Sequence, residues 1–205
     1  FQGEAQRLPE KSLIEWSLSL FPGGTFVDIG ANVGTWSIFY AASGKAKRVV
    51  SFEPQWTSYR ACLAGLALNG LDAEVNNVAL GDHTGNASLR ILSADGGGSS
   101  ICELPTNRWP MEVENVPLRT LDSYQIRDIG LIKIDVEGSE LEVLKGAVNT
   151  LEQNKWPKLL IEAWIVDWYA SKKKQTFDYL RSIGYDRITP INGYVEEFLV
   201  ERSAS

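Results

Sequence analysis

Acidic residues stand where apolar runs of this 205-residue chain end. The run Thr25–Ile29 carries Asp28 and leads into the turn Gly30-Ala31-Asn32-Val33-Gly34. Glycines in such a turn let backbone bend sharply and let a ligand come close. A carboxylate at a strand end suits a ligand with a cationic amino group, so Asp28 is a candidate partner for one, directly or through water. A plain strand-to-helix turn with Asn32 as cap is the competing reading. Glu53 ends the next apolar run, Arg48–Glu53, where a carboxylate can accept hydrogen bonds from both hydroxyls of a ribose. Together, Asp28 and Glu53 indicate a ligand that contains adenosine. A dinucleotide fingerprint needs G-x-G-x-x-G/A, and Asn32 occupies its second glycine position. That disfavours a ligand with a pyrophosphate, and with it a nicotinamide-dependent oxidoreductase.

Further along, Leu131-Ile132-Lys133-Ile134-Asp135-Val136-Glu137-Gly138-Ser139-Glu140 places Asp135 and Glu137 at a strand exit, and Lys158–Glu162 ends in Glu162. In a parallel sheet all three reach one rim. Desolvation and mutual repulsion there raise at least one pKa, which suits a general base. Among the three, Asp135 is the residue expected to contribute most. A divalent cation is another way to neutralise the cluster; no metal ligand is assigned. A third strand ends in Asn77-Val78, where Asn77 either reads an adenine amine or simply makes a turn. His83, the sole histidine, sits among turn formers. Lys133 reads as a snorkelling or ion-paired strand residue, and Glu140 and Glu142 as an exposed helix face. Trp164 and Trp168 suit an acceptor wall or core packing. Lys172–Lys174 reads as a solvated helix start.

Positioning these groups requires alternating strands and helices. Lys11–Leu20 has apolar residues at helical spacing. Strands are expected at 25–29, 48–53, 73–78, 130–135 and 158–162, with helices at 35–42, 57–69, 139–147 and 175–183. Such alternation specifies a doubly wound, mostly parallel Rossmann-like α/β sheet with right-handed crossovers. Residues 185–188 and 194–200 suggest a C-terminal antiparallel hairpin. The segment 81–118 breaks the pattern with strands at 87–92 and 112–118 and a glycine-rich loop at 96–100, and is expected to be a β-rich insertion or cover. Residues 1–3 resemble the remnant of a cleaved tag, leaving 4–205 as one domain.

The net charge of −6 disfavours nucleic acid as a partner. No apolar run is long enough to span a bilayer. Cys62 and Cys102 form no metal-ligand pattern and read as free thiols of a reducing, cytoplasmic setting, with a single long-range disulfide as the alternative.

The run LIKIDVEGSELEVLKGA, Leu131 to Ala147, resembles the signature of FkbM-type methyltransferases. FVDIGANVGTWS at 26–37, SFEP at 51–54, NVALGDHTG at 77–85, PLRTLDS at 117–123 and LLIEA at 159–163 are similar to that family's other segments, in its order. The resemblance implies a class I methyltransferase type of fold. It implies S-adenosyl-L-methionine as donor, S-adenosyl-L-homocysteine as product, and commonly O-methylation of a hydroxyl on a small molecule or sugar. A non-catalytic adenosylmethionine-binding module is the other outcome it leaves. Asp28, Gly30, Asn32, Gly34, Glu53 and Asn77 match cofactor-side positions. Pro54 and Val78 lie within the matched segments, and Asp135 serves both the cofactor side and the reaction edge, with Glu137. The chain departs from the family's E-P-N-P after the second strand, where it reads Glu53-Pro54-Gln55-Trp56.

Overall fold

The computed structural model describes residues 10–92, 98–103, 110 and 112–203. Helix α1 (Lys11–Leu20) precedes strand β1 (Gly24–Ile29), α2 (Thr35–Ala42), β2 (Ala46–Phe52), α3 (Trp56–Leu68) and β3 (Glu74–Asn76). Short strands β4 (Ala79–Leu80), β5 (Gly85–Ile91) and β6 (Glu112–Arg119) come next. The alternation resumes with β7 (Ile129–Ile134), α4 (Glu140–Lys145), α5 (Val148–Gln153), β8 (Lys158–Glu162), α6 (Ala170–Ser182), β9 (Arg187–Ile191) and β10 (Tyr194–Glu201).

The main sheet runs β3-β2-β1-β7-β8-β10-β9. Its first five strands are parallel, and β10 is antiparallel to both β8 and β9. Chain order reverses between β1 and β7, and open α/β sheets bind ligands beyond the carboxyl ends of their strands at such a point. All six residues of both β1 and β7 are buried, as expected of central strands covered on both faces. One face packs Phe26, Val49, Leu131 and Leu160 against Leu13 and Ile14 of α1 and Trp36 and Tyr40 of α2. The Phe26 and Tyr40 rings stack at 3.5 Å and 9°. The other face packs Val27, Ile29, Val50, Ile132 and Ile161 against Val143, Leu144, Leu151 and Leu180.

A second sheet, β4-β6-β5, has its own small core of Ala79, Leu89, Ile91, Val116 and Leu118. It occupies the segment expected to be a β-rich cover. Residues 96 and 97 of the glycine-rich loop, and the tag-like 1–3, lie outside the described residues. Gly98–Ser100 do not run free: Ser100 exchanges backbone hydrogen bonds with Arg90 at 2.8 and 3.0 Å.

Several elements differ from expectation. The third strand stops at Asn76, because the Val78 N–H turns back to the Asn76 carbonyl at 3.0 Å. The helix expected over 139–147 ends at Lys145, and a separate α5 follows Ala147; a Cβ on Gly146 would stand 2.0 Å from the Gly81 carbonyl oxygen. Helix α6 begins five residues early, at Ala170. Lys172–Lys174 therefore lie within it, and two of them are not merely solvated: Lys172 and Lys173 donate to the carbonyls of Gly138 and Ala163, both at 3.1 Å. Tyr185 is a fully buried core residue rather than a strand start, its hydroxyl donating to the Pro157 carbonyl at 2.7 Å. Cys62 and Cys102 are free and buried. No helix among the described residues is long and apolar enough to cross a membrane.

Candidate active site

The turn after β1 is shaped by a crossing of backbones. The Asp135 N–H donates to the Ile29 carbonyl at 3.0 Å. Gly30 has φ +81°, and a Cβ there would stand 1.7 Å from the Asp135 carbonyl oxygen. The N–H groups of Gly30 and Ala31 both reach the Phe52 carbonyl at 3.0 Å. Gly34 (φ +87°) packs against Cys62, whose Sγ lies 2.4 Å from where a Cβ would be. Side chains are thereby excluded and the turn is tied to the ends of β2 and β7.

Two clefts flank this turn and share Gly30, Asn32 and Asp135. One offers about 580 Å³ of space, part of it open to solvent, between Glu53 and Pro54, the apolar Phe52, Val78, Leu80, Leu89 and Ile101, and the reaction-edge residues Asp135 and Glu137. The other, about 570 Å³, lies over Val33, Thr35 and Trp36 and reaches Glu10 and Lys133.

Glu53 sits just past β2 and is 6 % exposed. Its two oxygens accept the N–H groups of Asn32 and Gln55, each at 2.8 Å. Burial pushes its carboxyl up to about 7 despite those two bonds. Each oxygen keeps a second lone pair free to accept a further hydrogen bond. Asp28 is fully buried and lines neither cleft; Ser37, itself bonded to Ser51, donates to its Oδ2 at 2.6 Å. Its Oδ1 has no partner among the described residues. Burial raises the Asp28 pKa against the opposing Lys133 charge. Asn77 is a strut: its amide donates to the carbonyls of Glu53 and Pro54 at 2.9 and 2.8 Å. It does not line the cleft, and the adjacent Val78 supplies that wall. Asn32 adopts φ +50° and carries a buried side-chain oxygen without a partner among the described residues.

At the reaction edge Asp135, Glu137 and Glu162 each bring a carboxylate oxygen within 4.8 Å of the others. Their charges are already partly compensated. Lys133, 3 % exposed, donates to Asp135 Oδ2 at 2.7 Å. Burial alone would lower the Lys133 pKa, but Asp135, Asp28 and Glu197 hold it above the usual lysine value. Asp135 and Glu162 share a hydrogen bond. Burial raises Asp135, yet Lys133 and the Glu162 bond outweigh it and leave its pKa below the usual value. Burial and the Asp135 charge push Glu162 up to about 11, so Glu162 carries the shared proton. Glu137 differs from both. Its Oε1 accepts the Gly98 N–H at 3.2 Å, while its buried Oε2 has no partner among the described residues. Burial, then Asp135 and Glu140, raise it to about 8.

Some residues were misread from sequence or passed over. Glu140 is not on an exposed face but 2 % exposed, its carboxylate accepting the Gly138 N–H at 2.9 Å and the Tyr169 hydroxyl. Glu142, its companion in that reading, is partly buried. Leu89, Ser99 and Ile101 reach the cleft from the β-rich segment, and nothing in their local pattern marks them. Gln55, at the departure from E-P-N-P, accepts from Ser99 Oγ at 3.1 Å and so joins that segment to the turn after Glu53. His83 is exposed, with Asp82 at 2.7 Å. Trp164 and Trp168 pack edge-to-face at 5.3 Å beside Tyr169 and line neither cleft.

The strand order, the glycine turn at its switch point and the acidic second-strand end define a Rossmann-like α/β protein of the class I methyltransferase type. A family model described as the methyltransferase FkbM domain matches residues 28–187. The chain belongs to the FkbM methyltransferase family. It is 27 % identical over 192 residues to the 31-O-demethyl-FK506 methyltransferase FkbM of Streptomyces tacrolimicus, covering 77 % of this chain and 72 % of that protein. A crystal structure of methyltransferase FkbM from Methylobacillus flagellatus KT superposes with TM-score 0.60 and 21 % identity over 86 % of this chain. This chain spans only 43 % of that one. A precorrin-6y C5,15-methyltransferase from Geobacter metallireducens GS-15 shares the fold with TM-score 0.57 and 13 % identity, covering 99 % and 94 % of the two chains.

Proposed function

We propose that this methyltransferase uses S-adenosyl-L-methionine to methylate a hydroxyl oxygen of a small molecule or sugar, and that Glu137 takes the hydroxyl proton. The carrying observation is that Glu137 lines the cleft and keeps a buried Oε2 without a partner among the described residues, beside two carboxyl groups that are already engaged.

The cleft fits the donor. The free lone pairs of Glu53 support its binding ribose hydroxyls, and Phe52, Val78 and Leu80 offer apolar surface to an adenine. The turn at Gly30, where no side chain fits, and the Asn32 oxygen without a partner among the described residues lead into the second cleft, which suits the amino-acid end. Bound adenosylmethionine supplies a methyl group already activated on a sulfonium. The protein's work is to orient the acceptor, which converts a bimolecular step into a unimolecular one, and to remove one proton. Glu162 holds its proton at neutral pH and Asp135 is a weakened base, which leaves Glu137. Lys133 and the proton shared by Asp135 and Glu162 offset two of the three carboxylates without a metal ion. The acidic edge and the net charge disfavour a phosphate-bearing acceptor. The Streptomyces relative is a 31-O-demethyl-FK506 methyltransferase, which supports a small-molecule oxygen as acceptor.

A base must be ionised to act, so activity should be low while Glu137 is protonated and rise as pH passes through about 8. Adenosylhomocysteine release at saturating donor and hydroxylated acceptor, followed from about pH 6 to about pH 10, measures this, with mass spectrometry locating the methyl group. A flat profile would remove Glu137 as base, and a methyl found on carbon or nitrogen would end the O-methylation reading.

A further inference from the structure

We infer that Glu140 and Tyr169 are positioning residues, which lock the Glu137–Gly138 turn so that the Glu137 carboxylate stands at the cleft wall. The inference rests on Glu137 being the base. Its ground is geometry that a helix start does not need. Glu137 adopts φ +57° and Gly138 φ +104°, a conformation that side-chain-bearing residues hold only when their surroundings impose it. The surroundings do so from every side. Glu140 accepts the Gly138 N–H at 2.9 Å, and Lys172 of α6 donates to the Gly138 carbonyl at 3.1 Å. Ser100 Oγ donates to the Glu137 carbonyl at 2.6 Å, and Cys102 Sγ lies 2.8 Å from where a Gly138 Cβ would be. Glu140 is held in turn by the Tyr169 hydroxyl, and both side chains are at most 2 % exposed. A carboxylate buried only to fasten a peptide would be a costly device. Here it fixes a reaction-edge carboxylate whose buried Oε2 has no partner among the described residues.

Tyr169 lies in the segment between β8 and α6, packed against Trp164 and Trp168 at 5.7 and 5.9 Å. The clamp thus joins the Glu137 turn to the chain that leaves Glu162. Charge runs through it as well. The groups facing Glu137 are Lys133 of β7, Asp135 just past that strand, Glu140 of α4, Glu162 of β8 and the Gly98 N–H; beside burial, Asp135 and then Glu140 hold the Glu137 pKa up.

Three variants separate the roles. Glu140→Ala removes both contacts, and Tyr169→Phe removes the hydroxyl while keeping the ring. Glu140→Gln keeps an acceptor for Gly138 and a partner for the Tyr169 hydroxyl but loses the charge. Expected are a fall in kcat of roughly tenfold to a hundredfold for the first two, adenosylhomocysteine Kd within about twofold of wild type, and faster amide hydrogen exchange across residues 136–141. Glu140→Gln should retain most turnover, while the rising limb of its pH profile moves to lower pH. Wild-type turnover and exchange in Glu140→Ala and Tyr169→Phe would overturn the clamp. So would an unmoved limb in Glu140→Gln overturn its electrostatic part. Exchange is read without any methyl acceptor. A wild-type protein that transfers no methyl group, but whose variants still exchange faster at this turn, would place the failure with the proposed base and not with the clamp.

Discussion

Glu137→Gln is expected to lower kcat by about 10²–10⁴-fold with little change in cofactor affinity. Glutamine keeps the size of the side chain and can still accept the Gly98 N–H, so the β-rich segment should remain in place. What it loses is a group able to take a proton. Asp135→Asn is the informative contrast. It leaves the buried Lys133 without the carboxylate that pairs with it at 2.7 Å and disturbs the bond to Glu162. Its effects should therefore extend to stability, because removing one partner of a buried pair leaves an uncompensated charge. Steady-state kinetics and thermal unfolding of both variants check this: a Glu137→Gln enzyme with near wild-type kcat would return the base role to Asp135.

Gly30→Ala should be the most damaging single-methyl change in the cofactor cradle. Its Cβ would stand 1.7 Å from the Asp135 carbonyl oxygen, and the residue would have to hold φ +81°. Neither can be relieved locally. The obstructing atom is backbone at the exit of a fully buried strand, and the neighbouring Asp135 N–H is bonded to Ile29. Strain in that region of backbone space and the steric conflict together warrant about 4 kcal/mol, or a midpoint lowered by roughly 8–16 °C for a chain of this size. Adenosylhomocysteine binding should be lost as well, since the turn separates and shapes both clefts. Gly44→Ala is the control: it also has a positive φ, of +66°, but no atom within 4 Å of a Cβ. Equal unfolding midpoints for the two variants would show that the backbone crossing is not what requires glycine at position 30.

The parts of the site legible in sequence were those whose signal is local. Strand ends announce themselves by an apolar run and a following turn, which is why Glu53, Asp135, Glu137 and Glu162 are legible as one edge; Asp28, one residue short of the β1 end, is instead fully buried, bonded to Ser37, and lines neither cleft. What each carboxylate does was not legible, because that depends on partners distant in sequence. Asp135 stands first among the three when only its position is known. The neighbouring Lys133, whose charge Asp135 holds, and the proton held by Glu162 alter that order. Asn77 shows the same limit: it stands next to Val78 of the cleft wall, but its amide is spent on two carbonyls of the turn after β2. Glu140 was misplaced for an opposite reason. A charged residue at the start of a short helix reads as solvated, and only the Tyr169 hydroxyl, brought in from beyond β8, explains its burial. The helix break at Gly146 is tertiary too, fixed by close approach to Gly81.

The most direct test is thermal unfolding of the protein with S-adenosyl-L-methionine, S-adenosyl-L-homocysteine and NADH as separate ligands, repeated with Glu53→Ala. A ligand that binds the native state adds about 2.7 kcal/mol at a hundredfold excess over its Kd, which for this chain length raises the midpoint by roughly 5–11 °C. The expected result is stabilisation by both adenosyl ligands, none by NADH, and a smaller shift in Glu53→Ala. Stabilisation by NADH alone, or by no ligand, would contradict an adenosylmethionine site at the glycine turn. An undiminished shift in Glu53→Ala would remove Glu53 from the ribose.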